Sequence, residues 1–277
     1  MLLFSIASVV ALGQFRRGRG WFDEPILDRG DMPVWVNPKH FEQDVFTFIR
    51  VKYSAGNRLR RWGNGGPGTW WIDYPDGELN LSFRLQQLTS MKVNPLHPRL
   101  EDYAIQLTDP RLPNYPFIYI VEPGDLMFSE EEVTALRQYL LGGGFLLVDD
   151  FWGEDEWENF YREIKRVFPN REPVELPGEH PIFNCVFNVK EKPQIPNVRL
   201  GTDSQYHGRT WEQWDAKEPH YKAIFDDKQR IMVIICHNTD LGDGWEREGE
   251  NEYYFREFSE KKAFPLGINI IFYAMTH

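Results

Sequence analysis

The spacing of hydrophobic positions shifts along this chain between a period of two and a period of three to four, and each shift marks an element. Residues 45–53 alternate and are rich in aromatic and β-branched side chains, which predicts the first core strand. In residues 80–91, Leu81, Leu85 and Leu88 share one face of a predicted helix, ended by the Asn94-Pro95 and His97-Pro98 turns. Residues 103–107 read as a strand, and 117–121 as one apolar on both faces, closed by Glu122-Pro123-Gly124. Ser129 and Glu132 form a capping box, Val133, Leu136 and Leu140 follow at helical spacing, and Gly142 to Gly144 stop the helix. Residues 145–148 are uniformly apolar, as a strand covered from both sides must be, and Trp157, Tyr161, Ile164 and Phe168 mark another amphipathic helix.

This alternation of strands and helices predicts an α/β fold with a mostly parallel central sheet and helices on both faces. Residues 169–219 are proline-rich and aperiodic, which predicts long loops with short strands near 183–189. Residues 223–225 and 231–236 flank a turn and predict a hairpin, hence an antiparallel edge; residues 263–275 predict a closing apolar helix. A single domain is expected over 21–277, after a signal segment and flexible N-terminus over 1–20: residues 1–13 are apolar and carry small residues before Gln14, the pattern of a secretory signal. That segment is too short to span a bilayer, and Arg16, Arg17 and Arg19 follow rather than precede it. The expectation is a periplasmic or otherwise extracytoplasmic protein with no stable transmembrane span after processing.

A net charge of -11 excludes a general binder of nucleic acid or anionic membrane, while 42% hydrophobic and 15% aromatic residues fit a folded globule. Arg50, Lys52, Arg58, Arg60 and Arg61 cluster near several glycines, as either a mobile anion-binding loop or a solvated tip. Cys185 and Cys236 provide no zinc spacing; each reads as a small core residue, with one bridge possible in an exported chain.

Trp71-Ile72-Asp73-Tyr74-Pro75, Arg84-Leu85, Leu141-Gly142-Gly143-Gly144-Phe145 running into Val148-Asp149-Asp150, His180-Pro181-Ile182-Phe183, and Cys236-His237-Asn238-Thr239-Asp240 carry a resemblance. Together they resemble a bacterial family known only as a domain of unknown function, placed in the class I glutamine amidotransferase-like superfamily and close to the trehalose-utilisation (ThuA-like) proteins. The resemblance spans 45–277 and implies a three-layer, flavodoxin-like fold. Active amidotransferases of that superfamily place a cysteine nucleophile on a tight strand-to-helix turn, paired with a histidine. Here Asp149-Asp150-Phe151-Trp152 stands at that turn, so glutamine hydrolysis by the usual route is not expected. The resemblance also implies a partner protein at the cell envelope.

The candidate site comprises Asp73, Asp149, Asp150, His180, His237 and Asp240, each at a predicted strand end or in a turn-rich loop. Converging carboxylates and imidazoles suit a borderline or hard divalent ion; alternatively Asp149 and Asp150 supply an acid-base pair, with only one of the two expected to enter the crevice. The blander alternative is that these residues cap helices and satisfy backbone amides. Arg84, Trp71 and Trp152 join as ligand-binding candidates, among tryptophans 62, 70, 71, 152, 211, 214 and 245 in or beside predicted loops, which serve either as platforms for a sugar or as lids on the core. Residues 240–246 have the composition of a calcium loop without its spacing. Two functions follow: an exported, non-catalytic domain binding a small molecule or an envelope protein, or a hydrolase or carbohydrate-modifying enzyme using Asp and His with or without a metal. The sequence names no cofactor.

Overall fold

A computed structural model describes residues 45–56, 69–94 and 103–277, all inside the compact unit Val34–His277. The signal-like segment, the 1–20 boundary, Arg58, Arg60, Arg61 and Trp62 lie outside the described residues.

In chain order the strands are β1 (Ile49–Lys52), β2 (Ser54–Ala55), β3 (Ala104–Gln106), β4 (Phe117–Val121), β5 (Leu126–Met127), β6 (Phe145–Asp149), β7 (Val174–Glu175), β8 (His220–Phe225) and β9 (Ile231–His237). Helices α1 (Asp76–Leu88), α2 (Glu130–Leu141), α3 (Gly153–Val167), α4 (Val198–His207) and α5 (Leu241–Glu246) are interleaved with them. The chain closes with α6 (Glu252–Tyr254), a π-helical stretch Phe255–Ala263 and α7 (Phe264–Thr276). The main sheet has seven strands in the order β3-β1-β4-β6-β9-β8-β7, and β2 pairs with β5 in a separate antiparallel ribbon. Neighbours among β3, β1, β4, β6 and β9 are parallel; β8 alone runs against them, since β7 is antiparallel to β8 in turn.

Every residue of β4 and β6 is buried because both faces are covered. One core packs Phe117, Tyr119, Phe145, Leu147, Ile234 and Cys236 beneath Leu81 and Leu85 of α1, Leu241 and Trp245 of α5 and the apolar face of α7. The other packs Ile118, Ile120, Leu146, Val148, Val233 and Ile235 against Val133, Leu136 and Leu140 of α2 and Phe160, Ile164 and Val167 of α3. The capping box at Ser129 is formed in both directions, and Gly142 caps α2 as its spacing predicts.

Several expectations need correction. The first helix begins four residues early, at Asp76, so Leu88 lies in its last, exposed turn. In α3 the buried stripe runs through Phe160, Ile164 and Val167 rather than through Trp157 and Tyr161, which are half-buried. No strand forms over 183–189: the side chain of Asn269 in α7 accepts from the amides of Val186 and Phe187 and donates to the carbonyl of Phe187, replacing a strand partner. The region 169–219 also contains α4, capped by Asn197, whose helical spacing is obscured by its polar composition. Residues 240–246 form a helix rather than a loop, and its Gly244 lets the backbone lie against Ala263. Cys185 and Cys236 are both free thiols. Among the described residues no helix is long and apolar enough to cross a membrane.

Candidate functional site

Carboxylates gather where β4, β6 and β9 end. Asp149, the last residue of β6, is fully buried, and its Oδ2 accepts from the amides of Leu241 (2.8 Å) and Gly242 (3.0 Å) and from the Tyr119 hydroxyl (3.2 Å). It therefore caps the first turn of α5 from a neighbouring strand. Asp240 caps the same helix locally, its Oδ1 accepting from the Asp243 amide at 2.7 Å. To this extent the capping alternative holds for both residues.

Asp150 follows in a left-handed conformation, φ 58°, so the alternation expected of an extended pair is broken and both aspartates turn into buried surroundings. The Trp152 indole donates to its Oδ1 at 3.1 Å, which makes Trp152 a buried support rather than an exposed platform. Glu122 after β4 (φ 47°), Asn238 after β9 (φ 62°) and Asp73 ahead of α1 (φ 61°) share this conformation. Among the described residues the one other such non-glycine position, Gln229, sits in the β8–β9 turn. Left-handed backbone among the described residues is thus concentrated near the carboxyl ends of the parallel strands.

Asp73 is held in place from below. Arg50 in β1 is fully buried; its Nε pairs with Glu78 of α1 and its Nη1 donates to the carbonyls of Trp70 (3.0 Å) and Ile72. The turn that presents Asp73 is therefore bound to the sheet by Arg50, which is no part of a mobile basic loop. Lys52 lies over the Trp70 ring instead. On the opposite side Gly242 admits Asp73: a Cβ there would stand 2.7 Å from Asp73 Oδ2 and 3.3 Å from Asp240 Oδ1. Asp243 completes this group, its Oδ2 accepting from the Val198 amide at 2.8 Å. One oxygen from each of Asp73, Asp240 and Asp243 lies within 4.8 Å of the others.

Burial dominates the electrostatics. It pushes the carboxyl of Asp149 up to about 8, against the hydrogen bonds of the Gly242 and Leu241 amides, and that of Glu122 up to about 7. Asp150 and Asp240 are pushed well above the usual carboxylate range by burial first and by neighbouring carboxylates second. Asp243 reaches about 7 and Glu246 about 9 for the same reasons. Asp73 is among the charges that raise Glu122, Asp150, Asp240, Asp243 and Glu246, so it is the common neighbour of the group. Two cations lie nearby: Arg50, which pairs with Glu78 and also acts on Asp73, and Arg247, which pairs with Asp243 and Glu246 of this group and with Glu250.

His237 does not join this group. In β9, Ile234 and Cys236 belong to the core under α1 and α5, while Val233 and Ile235 belong to the core under α2 and α3. Alternation therefore sends His237 to the α3 side. There its ring lies 4.7 Å from Phe151, 5.2 Å from Trp157 and 5.9 Å from His220, centroid to centroid. Its Nε2 faces the Gly153 carbonyl at 3.0 Å, which requires the proton on that nitrogen. Burial lowers its pKa to about 4, with Lys222 and His220 adding to the effect.

The remaining candidates are dispersed. His180 accepts from the Ile182 amide and packs on Tyr273, which lines a surface hollow of about 680 Å³ with Gly142, Gly143 and the β8–β9 turn, at the amino ends of β6 and β9. That hollow is at the end of the sheet opposite the acidic group. Arg84 pairs with Glu248, and Trp71 is 49% exposed. Neither thiol lies at the β6–α3 turn: Cys236 is inside β9, and Cys185 donates to the Asn269 carbonyl.

The structure thus brings together Asp73, Asp149, Asp150 and Asp240 and leaves out His180, His237 and Arg84. It adds Arg50, Glu78, Glu122, Asp243 and Glu246. A polar residue at the end of an apolar strand was the available signal for Glu122; Asp243 and Glu246 were hidden because Gly242 and Gly244 made their helix read as a loop.

Residues 47–275 match the family model described as a domain of unknown function, DUF4159. Among curated proteins, no match is found.

Proposed function

Since the chain belongs to the DUF4159 family, we propose from the chemistry of its own site that it is an exported, non-catalytic domain that binds a small cationic ligand, or a basic group of an envelope partner, at the carboxyl edge of the sheet. The observation that carries this reading is the buried carboxylate group around Asp73, which outnumbers the two nearby arginines, Arg50 paired with Glu78 and Arg247 with Asp243 and Glu246. Burying several carboxylates together is costly unless protons or a positive ligand offset them. The parallel strands follow the order β3-β1-β4-β6-β9, second-first-third-fourth-fifth along the chain, which supports a flavodoxin-like, amidotransferase-like arrangement. In that arrangement ligands occupy the crevice beyond the carboxyl ends. On that reading the turn between β6 and α3, which holds Asp150 in a left-handed conformation, is the turn of the amidotransferase nucleophile, and a carboxylate there favours binding over acyl transfer. Export rests on the signal-like pattern of residues 1–13.

An acid-base hydrolase is the second reading, favoured by Asp149, whose carboxyl at about 8 holds a proton near neutrality. His237, across the sheet, is no partner for it. A thermal-shift screen of the purified protein against amines, amino acids, neutral sugars, nucleotides and metal salts separates the readings. Stabilisation by cationic compounds, lost in Asp150→Asn, is the expected result; stabilisation by neutral sugars or nucleotides alone contradicts it.

A further inference from the structure

We infer that Asp73, Asp240 and Asp243 form a binding site for a hard divalent cation, with Ca²⁺ preferred over Mg²⁺. The inference rests on the reading of the crevice as a site for positive charge and names the ion. Three observations support it independently of how acidic the cluster is.

First, the geometry approaches that of a coordination sphere. One oxygen from each carboxylate lies within 4.8 Å of the other two, so an ion at their centre is at most about 2.8 Å from each, and a shift of a few tenths of an ångström brings all three to the 2.3–2.6 Å typical of calcium. The donors are all oxygen, which suits calcium, magnesium or manganese rather than zinc or copper. Magnesium demands tight octahedral geometry, whereas calcium accepts carboxylates in irregular arrangements.

Second, acceptors are left without donors. Oδ2 of Asp73, a residue 7% exposed, receives no hydrogen bond among the described residues, and neither does Oδ1 of the fully buried Asp149. Asp73 Oδ2 points at α5, since it lies 2.7 Å from where a Cβ on Gly242 would stand. Glu163, by contrast, is a buried carboxylate whose Oε2 accepts from the Phe128 amide.

Third, the ligands are set before any ion arrives. The Asp243 amide fixes Asp240, the Val198 amide fixes Asp243, and Arg50 fixes the turn that carries Asp73. Gly242 leaves the space between Asp73 and Asp240 free of a side chain. Carboxylates this buried are reached by a bare ion more readily than by a sugar or a peptide.

The test uses the full chain, stripped with chelator and dialysed, titrated calorimetrically and by thermal shift with CaCl₂, MgCl₂ and MnCl₂ in separate arms. Saturable binding by Ca²⁺ is expected, raising the melting temperature by about 5 °C at a hundredfold excess over Kd. Asp73→Asn, close in shape to the native residue, is expected to weaken that affinity at least about tenfold. Circular dichroism of the variant in chelator establishes that it is folded, and Gly242→Ala, which crowds the Asp73 carboxylate, provides a second variant expected to weaken binding. No saturable binding of any of the three metals up to about 10 mM, above the range of weak extracellular calcium modules, overturns the site. Equal affinity in wild type and both folded variants also overturns it. If organic amines stabilise the protein and the metals do not, the metal site fails while the reading of the crevice as a site for positive charge stands.

Discussion

Asp149 and His237 end neighbouring strands of one sheet, yet they live under opposite electrostatic regimes. The face under α1 and α5 collects carboxylates around Asp149 and raises them above their usual range. The face under α3 surrounds His237 with Phe151 and Trp157 and lowers its pKa to about 4. Burial favours the neutral form in both places. The difference lies in number: one imidazole sheds its proton and is then neutral and hydrogen-bonded, whereas several carboxylates in contact keep a demand for positive charge. The acidic face is therefore built to receive something, and the aromatic face to be closed.

The largest expected effect comes from removing the support of the acidic face. Glu78→Gln leaves the Arg50 guanidinium buried without its counter-charge and is expected to cost about 3–5 kcal/mol in chemical denaturation, with loss of the Asp73 turn. A loss below about 1 kcal/mol would show that Arg50 reaches water or another partner.

Next in size is the pH response of the aromatic face. His237 has a folded pKa of about 4 against 6.5 unfolded, so between these values the unfolded chain binds the extra proton. Its contribution is complete above pH 6.5 and is lost as pH falls towards 4, up to about 3 kcal/mol. The charged or titratable groups acting on it are Lys222, His220 and Asp215. In His237→Phe, the drop in stability between pH 7 and pH 5 is expected to shrink; an unchanged drop would assign acid sensitivity to other groups.

A smaller effect of opposite sign is expected on the acidic face. Asp73→Asn removes the charge that raises Glu122, Asp150, Asp240, Asp243 and Glu246, and in chelator at pH 8 it should stabilise the fold by about 1–2 kcal/mol. Destabilisation instead would mean that Asp73 is held for its structural contacts. The smallest effect serves as the reference: Ser129→Ala, at the start of α2, should cost about 1 kcal/mol at every pH and leave cation binding unaltered.

The sequence carried the strands that form the sheet's centre because β4, β6 and β9 are covered on both faces and must be apolar throughout. The capping box and the Gly142 stop were legible for the same local reason. The site was legible only in part. Asp73, Asp149, Asp150 and Asp240 stand out as polar residues at strand ends, but their convergence depends on left-handed backbone at Asp73 and Asp150, which no local pattern announces. His237 was misplaced relative to Asp149 because the side to which a strand's last residue points depends on its register with its neighbour, Val148 opposite Ile235. Asn269 could not be seen acting as a strand partner, since 82 residues separate it from Phe187.

The most direct measurement is anomalous diffraction from a crystal of the full chain soaked in MnCl₂ at neutral pH. A peak is expected among the carboxylates of Asp73, Asp240 and Asp243, within about 2.5 Å of each, and no peak beside His237. Metal bound elsewhere, or an acidic group with no peak at saturating manganese, would contradict it.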